Sequence, residues 1–266
     1  MTRAPDIGRL RFRSIFISDV HLGSRSCRAE LLLDFLARVD ARHIFLVGDI
    51  LDLESLSRSF YWPTSHAEVV YALLRKAREG TRVSYVPGNH DAAFRHLAGQ
   101  SVAGIEVHRE LMHTTADGRR LLVLHGDEFE RLVRCNPILK SIGARIYGWL
   151  LGANDLLNFV ARRIGLPDSS FARRLKMQSE KAASYIARFE RIVAHAAARR
   201  GVDAVVCGHI HHASKRRVGR ILYCNDGDWV ESCTALVELH DGRLELVEWS
   251  ELAARTEPLR ADVAAA

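Results

Sequence analysis

Short apolar, β-branched runs alternate along this chain with longer stretches whose apolar residues recur at three- and four-residue spacing. Residues 11–18 (RFRSIFIS) become continuously apolar toward their end, predicting a strand that delivers Asp19 at its carboxyl end. Residues 28–40 repeat Leu at helical spacing, and residues 43–47 form a second apolar run ending at Gly48-Asp49. Residues 66–78 read as an amphipathic helix stopped by Gly80, and residues 82–86 as a strand stopped by Pro87-Gly88. The resulting βαβαβ order predicts an α/β fold, a sheet with helices packed against it. Functional side chains in open α/β sheets gather beyond the carboxyl ends of the strands.

Farther along, residues 121–124 and 202–207 are strands running into His125-Gly126-Asp127 and Gly208-His209. Between them, about residues 136–200 are helical in character and too long for a simple connection, which predicts a helical cap inserted at about residues 130–200. Residues 220–224, 233–239 and 243–249 read as consecutive strands, with Asp241-Gly242 as a hairpin signal. The expected organisation is a single domain over residues 1–250 and an Ala-rich, charged tail at 251–266 that frays.

Composition adds boundaries to this picture. With 266 residues and 48% hydrophobic content the chain can bury one full core. Its five cysteines are odd in number and lack CxxC spacing, so they read as reduced thiols filling the core. The first 13 residues are polar and basic, unlike a signal peptide. The longest apolar candidate, residues 146–160, is interrupted by Asn154 and Asp155 and falls short of the roughly 18 apolar residues of a membrane span. A cytoplasmic protein is expected. The net charge of +6 is compatible with nucleic acid, an anionic membrane surface or a phosphorylated substrate, and does not choose among them.

Chemistry enters at the strand ends. Asp19-Val-His21, Gly48-Asp49, Gly88-Asn89-His90-Asp91, His125-Gly126-Asp127 and Gly208-His209-Ile-His211 each place Asp, His or Asn there. One such residue alone is usually a packing or surface residue. Together, Asp19, His21, Asp49, Asn89, His125, His209 and His211 supply what two divalent ions about 3.5–4 Å apart require, a bridging carboxylate among N and O donors. On an extended strand the side chains at i and i+2 face one way, so Asp19 can join His21 and His209 can join His211, with Val20 and Ile210 turned to the core. Glycines beside the donors permit tight turns and close backbone approach. The absence of Cys suits Mn²⁺, Fe or Zn²⁺ and does not separate them.

In this order, over residues 13–230, the DVH, GD, GNHD, HGD and GHIHHA blocks resemble the calcineurin-like metallophosphoesterase superfamily. The resemblance implies a two-sheet sandwich flanked by helices, with metals at the strand ends. It implies that Asp19, His21, Asp49 and His211 hold a first ion, and Asp49, Asn89, His125 and His209 a second, Asp49 bridging both. A hydroxide between the ions would attack phosphorus in line. His90 would protonate the leaving oxygen or stabilise its charge, with Asp91 orienting His90. Some members have lost ligands and serve as protein-binding scaffolds, whereas here every ligand position is filled.

For the substrate, overall length, the helical segment before GHIH and the run Asn225-Asp226-Gly227-Asp228-Trp229 resemble the UDP-2,3-diacylglucosamine hydrolase branch of lipid A synthesis. That branch releases UMP and a diacylglucosamine 1-phosphate. The apolar and basic residues of the expected cap suit an amphiphilic, lipid-linked phosphate and peripheral contact with the cytoplasmic face of the inner membrane, or else pack the insertion on itself beneath a solvated basic face. Arg58, Trp62, Arg131, Arg134, Lys176 and His212 are the candidate substrate contacts. Trp62 and Tyr61 either stack on substrate or pin their loop, and His212 either touches substrate or supports the ligands behind it. Two departures point to a paralogue acting on another phosphodiester or phosphomonoester. His90 stands where that branch carries Arg, and residues 173–185 read RRLKMQSEKAASY without its Ser- and Asn-rich stretch. A nuclease is a further alternative, against which stands the lack of a nucleic-acid motif or a separate basic domain. Either a monomer or a homodimer is compatible with the chain.

Overall fold

Strand β1 (Leu10–Ile17) ends in four buried residues because both of its faces are covered. Ile15 and Ile17 pack into a cluster under two helices, while Phe16 turns the opposite way into a cluster shared with a second sheet. A strand so placed shows no polar alternation, which is why its sequence reads as a plain apolar run. The computed structural model describes residues 10–133, 168–250 and 252.

From β1 the chain passes through α1 (Ala29–Arg38), β2 (Val39–Leu46), α2 (Leu53–Arg58), α3 (Thr64–Arg78) and β3 (Arg82–Tyr85). A 3-10 turn (Ala92–Leu97) and the short strands β4 (Ser101–Val102) and β5 (Ile105–Val107) follow. Next come β6 (Leu111–Thr114), β7 (Arg120–Val123), α4 (Glu130–Val133) and α5 (Asp168–Arg199). The chain then adds β8 (Ala204–Cys207), β9 (Ser214–Val218), β10 (Ile221–Asn225), β11 (Thr234–Glu238) and β12 (Leu244–Glu248).

These strands form a seven-stranded sheet in the order β12-β11-β1-β2-β3-β5-β4 and a five-stranded sheet in the order β6-β7-β8-β10-β9. The middle of each sheet is parallel, with antiparallel strands at the edges. One apolar layer lies between the first sheet and α1 with α3, centred on Phe35, Leu36 and Val69. A second lies between the sheets, where Phe16 and Phe45 meet Val123 and Val206. The third joins the second sheet to α5 through Phe189, Val193 and Ala197. The fold is therefore a two-sheet α/β sandwich flanked by helices.

The structure corrects several boundaries. Val39 and Asp40 open β2 instead of ending α1, because Val39 pairs in register with Leu10 and is fully buried. β10 and β11 are consecutive in sequence but lie in different sheets. The C-terminal half of α5, read as part of an inserted cap, is the outer layer over the second sheet. The rest of that cap, residues 134–167, and the tail beyond 252 lie outside the described residues. α2, β4, β5, β6 and β9 were not legible: each is short, and β9 (SKRRV) is an edge strand whose charges face solvent. Cys27, Cys207, Cys224 and Cys233 are buried free thiols. Among the described residues, no helix is long and apolar enough to cross a membrane.

Candidate metal centre

β1, β2, β3, β7 and β8 all point their carboxyl ends at one spot, and the loops leaving them are laced together by main-chain hydrogen bonds. The Asp19 N–H donates to the Gly48 carbonyl at 3.0 Å, and the His21 N–H to the Asp49 carbonyl at 2.9 Å. Asp19, His21, Asp49, His209 and His211 all adopt the left-handed backbone region, with φ of 51°, 55°, 52°, 71° and 51°. Such residues cost on the order of 1 kcal/mol or more each and concentrate at functional sites. They also correct the reasoning from strand periodicity. β1 stops at Ile17, so Asp19 and His21 converge through two left-handed kinks and not through an extended pleat. Val20 and Ile210 are buried between them. Gly88 is required on steric grounds, since a Cβ there would collide with the Asp49 carboxylate and main chain.

Among the described residues donor atoms gather in three groups, the atoms of each within 4.8 Å of one another, and one of them, His21, Asp49 and His90, overlaps the other two. Of those two, the first joins Asp19, His21 and His211, and the second Asp49, His125 and His209. Within the first, Asp19 Oδ1 lies 3.2 Å from His211 Nε2 and 4.0 Å from His21 Nε2, and the two Nε2 atoms are 3.3 Å apart. Within the second, His125 Nε2 lies 3.3 Å from Asp49 Oδ2, while His125 Nδ1 donates to the Val47 carbonyl at 2.8 Å. That bond occupies Nδ1 and leaves Nε2 as the ring nitrogen turned toward Asp49. Asp19 Oδ1 and His125 Nε2 are buried polar atoms without a hydrogen-bond partner. Orphaned acceptors of this kind, ringed by other donors of the same type, fit a divalent cation. Asn89 is exposed at the rim, between Gly88 and His90.

The electrostatics agree. Burial pushes the Asp19 carboxyl up to about 7, against the pull of His125. Burial also opposes ionisation of Asp49, but His125, His21 and His90 hold its carboxyl well below the usual range. His125 is raised far above an ordinary imidazole despite its burial, because Asp49 and Asp19 face it. The shifts show buried carboxylates and imidazoles held close enough to set one another's ionisation.

His90 is held by a residue that the sequence reading passed over. Its Nδ1 lies 3.0 Å from Asp52 Oδ1, while Asp52 Oδ2 lies 3.4 Å from His21 Nδ1. Asp52 also caps α2 by accepting the Ser55 N–H at 2.8 Å. An Asp at the mouth of a helix was the available signal. The hydrogen bond to Asp52 raises the His90 pKa against its burial. Asp91, expected to orient His90, instead accepts main-chain N–H groups from Gly88 (2.5 Å), Ile50 (2.7 Å), Leu51 (3.2 Å) and Asp49 (3.4 Å). It is the clasp of the Asp49 loop. Ser18 and Asp226 were missed as well: the Ser18 hydroxyl bridges Asp19 Oδ2 (2.6 Å) and Asp226 Oδ1 (2.8 Å). Arg95 ties the Pro87 carbonyl (3.2 Å) to Asp127 (2.7 Å), joining the GNHD and HGD loops.

The candidate substrate contacts divide. Arg58 lines a cleft beside His90 and pairs with Glu54. Trp62 packs on the core and meets His66 edge-on at 5.6 Å, so it pins its loop and is not among the residues lining the cleft. His212 is half-buried next to His211, and Arg131 is exposed on α4. Arg134 and the side chain of Lys176 lie outside the described residues.

Two sheets back to back with clustered imidazoles and carboxylates at their strand ends, taken with the family profile that the sequence matches, make this a metal-dependent hydrolase of phosphoester bonds. The sequence profile of the Calcineurin-like phosphoesterase family matches residues 12–213, and the chain belongs to that family. No curated protein matches it in sequence. Among solved structures it is similar to an archaeal phosphodiesterase, with 10% identity, coverage of 88% of this chain and 98% of the other, and a TM-score of 0.42. The phosphoesterase YfcE from E. coli gives 17% identity, coverages of 88% and 98%, and a TM-score of 0.41. The phosphopantetheinyl hydrolase PptH from Mycobacterium tuberculosis gives 14% identity, coverages of 85% and 92%, and a TM-score of 0.39. These likenesses are distant, and the assignment rests on the family profile.

Proposed function

We propose that this chain hydrolyses phosphate esters with two divalent ions, Asp19, His21, Asp49 and His211 holding one and Asp49, Asn89, His125 and His209 the other. The observation that carries this reading is the pair of orphaned buried acceptors, Asp19 Oδ1 and His125 Nε2, each within a separate donor cluster. When bound, such ions supply an activated hydroxide and neutralise charge on the phosphoryl oxygens. Mn²⁺ is the ion we favour, with Fe and Zn²⁺ admitted by the same donors.

The chain's own residues do the remainder. His90, anchored at Nδ1 by Asp52, keeps Nε2 for the leaving oxygen, and its raised pKa keeps it protonated to a higher pH than a free imidazole. Its main-chain N–H donates to Asp49 Oδ1 at 2.8 Å, so the proton donor and the shared carboxylate are positioned by one loop. Asp91 holds that loop through the four N–H groups it accepts. The test is metal analysis of reconstituted protein, followed by hydrolysis of an aryl phosphodiester. Two ions per chain and turnover support the reading; less than one ion, or turnover that survives Asp49→Ala, sinks it.

The finer reading is a UDP-2,3-diacylglucosamine diphosphatase-like enzyme acting on a lipid-linked substrate at the membrane face, supported by the run from Asn225 to Trp229. The alternative is a paralogue with a different phosphodiester or phosphomonoester. His90 in place of Arg favours the paralogue, as does the polar lining of the cleft. UMP released from the acylated sugar nucleotide, read by mass, would decide for the lipid branch.

A further inference from the structure

Beside His90 the centre opens into a cleft of about 190 Å³. One wall carries Ser24 and Ser26, a second Glu54 and Arg58, and a third Val230 and Glu231. The two serine hydroxyls stand 2.8 Å apart as a hydrogen-bonded pair. Their loop is firmly held, since the Gly23 N–H donates to His66 Nδ1 at 2.9 Å and Arg25 lies over the Tyr61 ring at 4.4 Å. His90 itself lines the cleft, so the group that takes its proton lies there.

The described lining disfavours two kinds of leaving group. Among the described residues Val230 is its one aliphatic lining residue, so an acyl chain would find little apolar surface on them. Among the described residues Arg58 is its one guanidinium or ammonium group and is paired with Glu54, so a second phosphate would meet carboxylates there with no open cationic fork among them. Hydroxyl groups fit both features. They can donate to carboxylate oxygens and exchange hydrogen bonds with the serine pair.

We propose that this cleft receives the leaving group, and that the leaving group is a compact polyhydroxylated alcohol, a polyol or small sugar. The proposal rests on the phosphoesterase reading above. During the reaction the P–O bond to that alcohol breaks, water supplies the new oxygen on phosphorus, and the departing alkoxide takes the His90 proton.

The experiment uses the full chain reconstituted with Mn²⁺ and an aryl phosphodiester as reference. Esters of glycerol and of propanol, each as phosphomonoester and methyl phosphodiester, are compared with pyrophosphate by kcat/KM. The glycerol ester should exceed the propyl ester by about tenfold, the yield of one or two net hydrogen bonds, and pyrophosphate should fall below both. Ser24→Ala and Ser26→Ala should narrow the glycerol-to-propyl ratio, chiefly through KM, and Ser26→Thr should keep it. Equal rates on the glycerol and propyl esters, or a preference for pyrophosphate, would overturn the proposal in the wild-type protein alone, whatever the variants do. Silence toward the aryl diester with every metal tried would instead remove the phosphoesterase reading and this inference with it.

Discussion

Two buried polar clusters draw on β1 and the loop that follows it, and they differ in how their atoms are satisfied. Inside the strand, Ser14 Oγ donates to Glu238 Oε2 at 2.7 Å, His113 Nε2 lies 2.7 Å from the same oxygen, and the Ala116 N–H reaches Glu238 Oε1 at 2.8 Å. Just past the strand, Asp19 leaves Oδ1 without a partner. Burial disfavours ionisation of both carboxyls. In Glu238 the hydrogen bonds from His113 and Ser14 outweigh it and the pKa falls, whereas in Asp19 burial prevails and the carboxyl rises to about 7. A polar cluster closed on itself is structural, and one left open in a shape that several ligand atoms share is built for something that arrives later.

Replacing Asp49 with Ala should have the largest effect, taking aryl phosphodiester hydrolysis to background and removing bound metal; retention of both would erase the distinction between the clusters. Asp52→Asn comes next, lowering activity and metal affinity about 10- to 100-fold, as for other residues that support ligands. A kcat pH profile that keeps its basic limb in this variant would count against the Asp52–His90 contact. Glu238→Gln should cost about 1–3 kcal/mol of stability in urea titrations while leaving metal affinity unchanged. Its pH signature follows from the lowered pKa. Stability from Glu238 is present above the pKa of an unfolded Glu and is lost as pH falls through the lower folded value. Asp19 has the opposite sign. In metal-free protein its contribution is present below the pKa of an unfolded Asp and is lost as pH rises through about 7. Asp19→Asn should therefore slightly raise the melting temperature of the metal-free protein at pH 8 while weakening metal binding, and a fall in both would place Asp19 with Glu238.

The open cluster was largely legible in the sequence and the closed one was not. His125 and His209 sit beside glycines at the ends of apolar runs, a local signature. Ser14 and Glu238 are 224 residues apart, and nothing near either of them announces the other. Asp52 fell between these cases: its cap role is local, but its contacts with His21 and His90 depend on how three loops meet. The central strands declared themselves because both faces are buried, while β9 did not, because its outward charges resemble those of a loop. Trp62 was legible as an aromatic beside the site, and only packing shows it turned to the core.

The left-handed backbone at Asp19, His21, Asp49, His209 and His211 also bears on how this centre can vary. Asp, Asn and His are the non-glycine residues most at home in that conformation, and all three are metal donors. Their codons differ from one another at the first base alone. A single base change at these positions can exchange one donor for another without straining the loop, whereas β-branched residues are barred by the backbone before any metal is involved. Metal preference can thus drift along a path the fold leaves open, with the scaffold itself filtering which replacements survive.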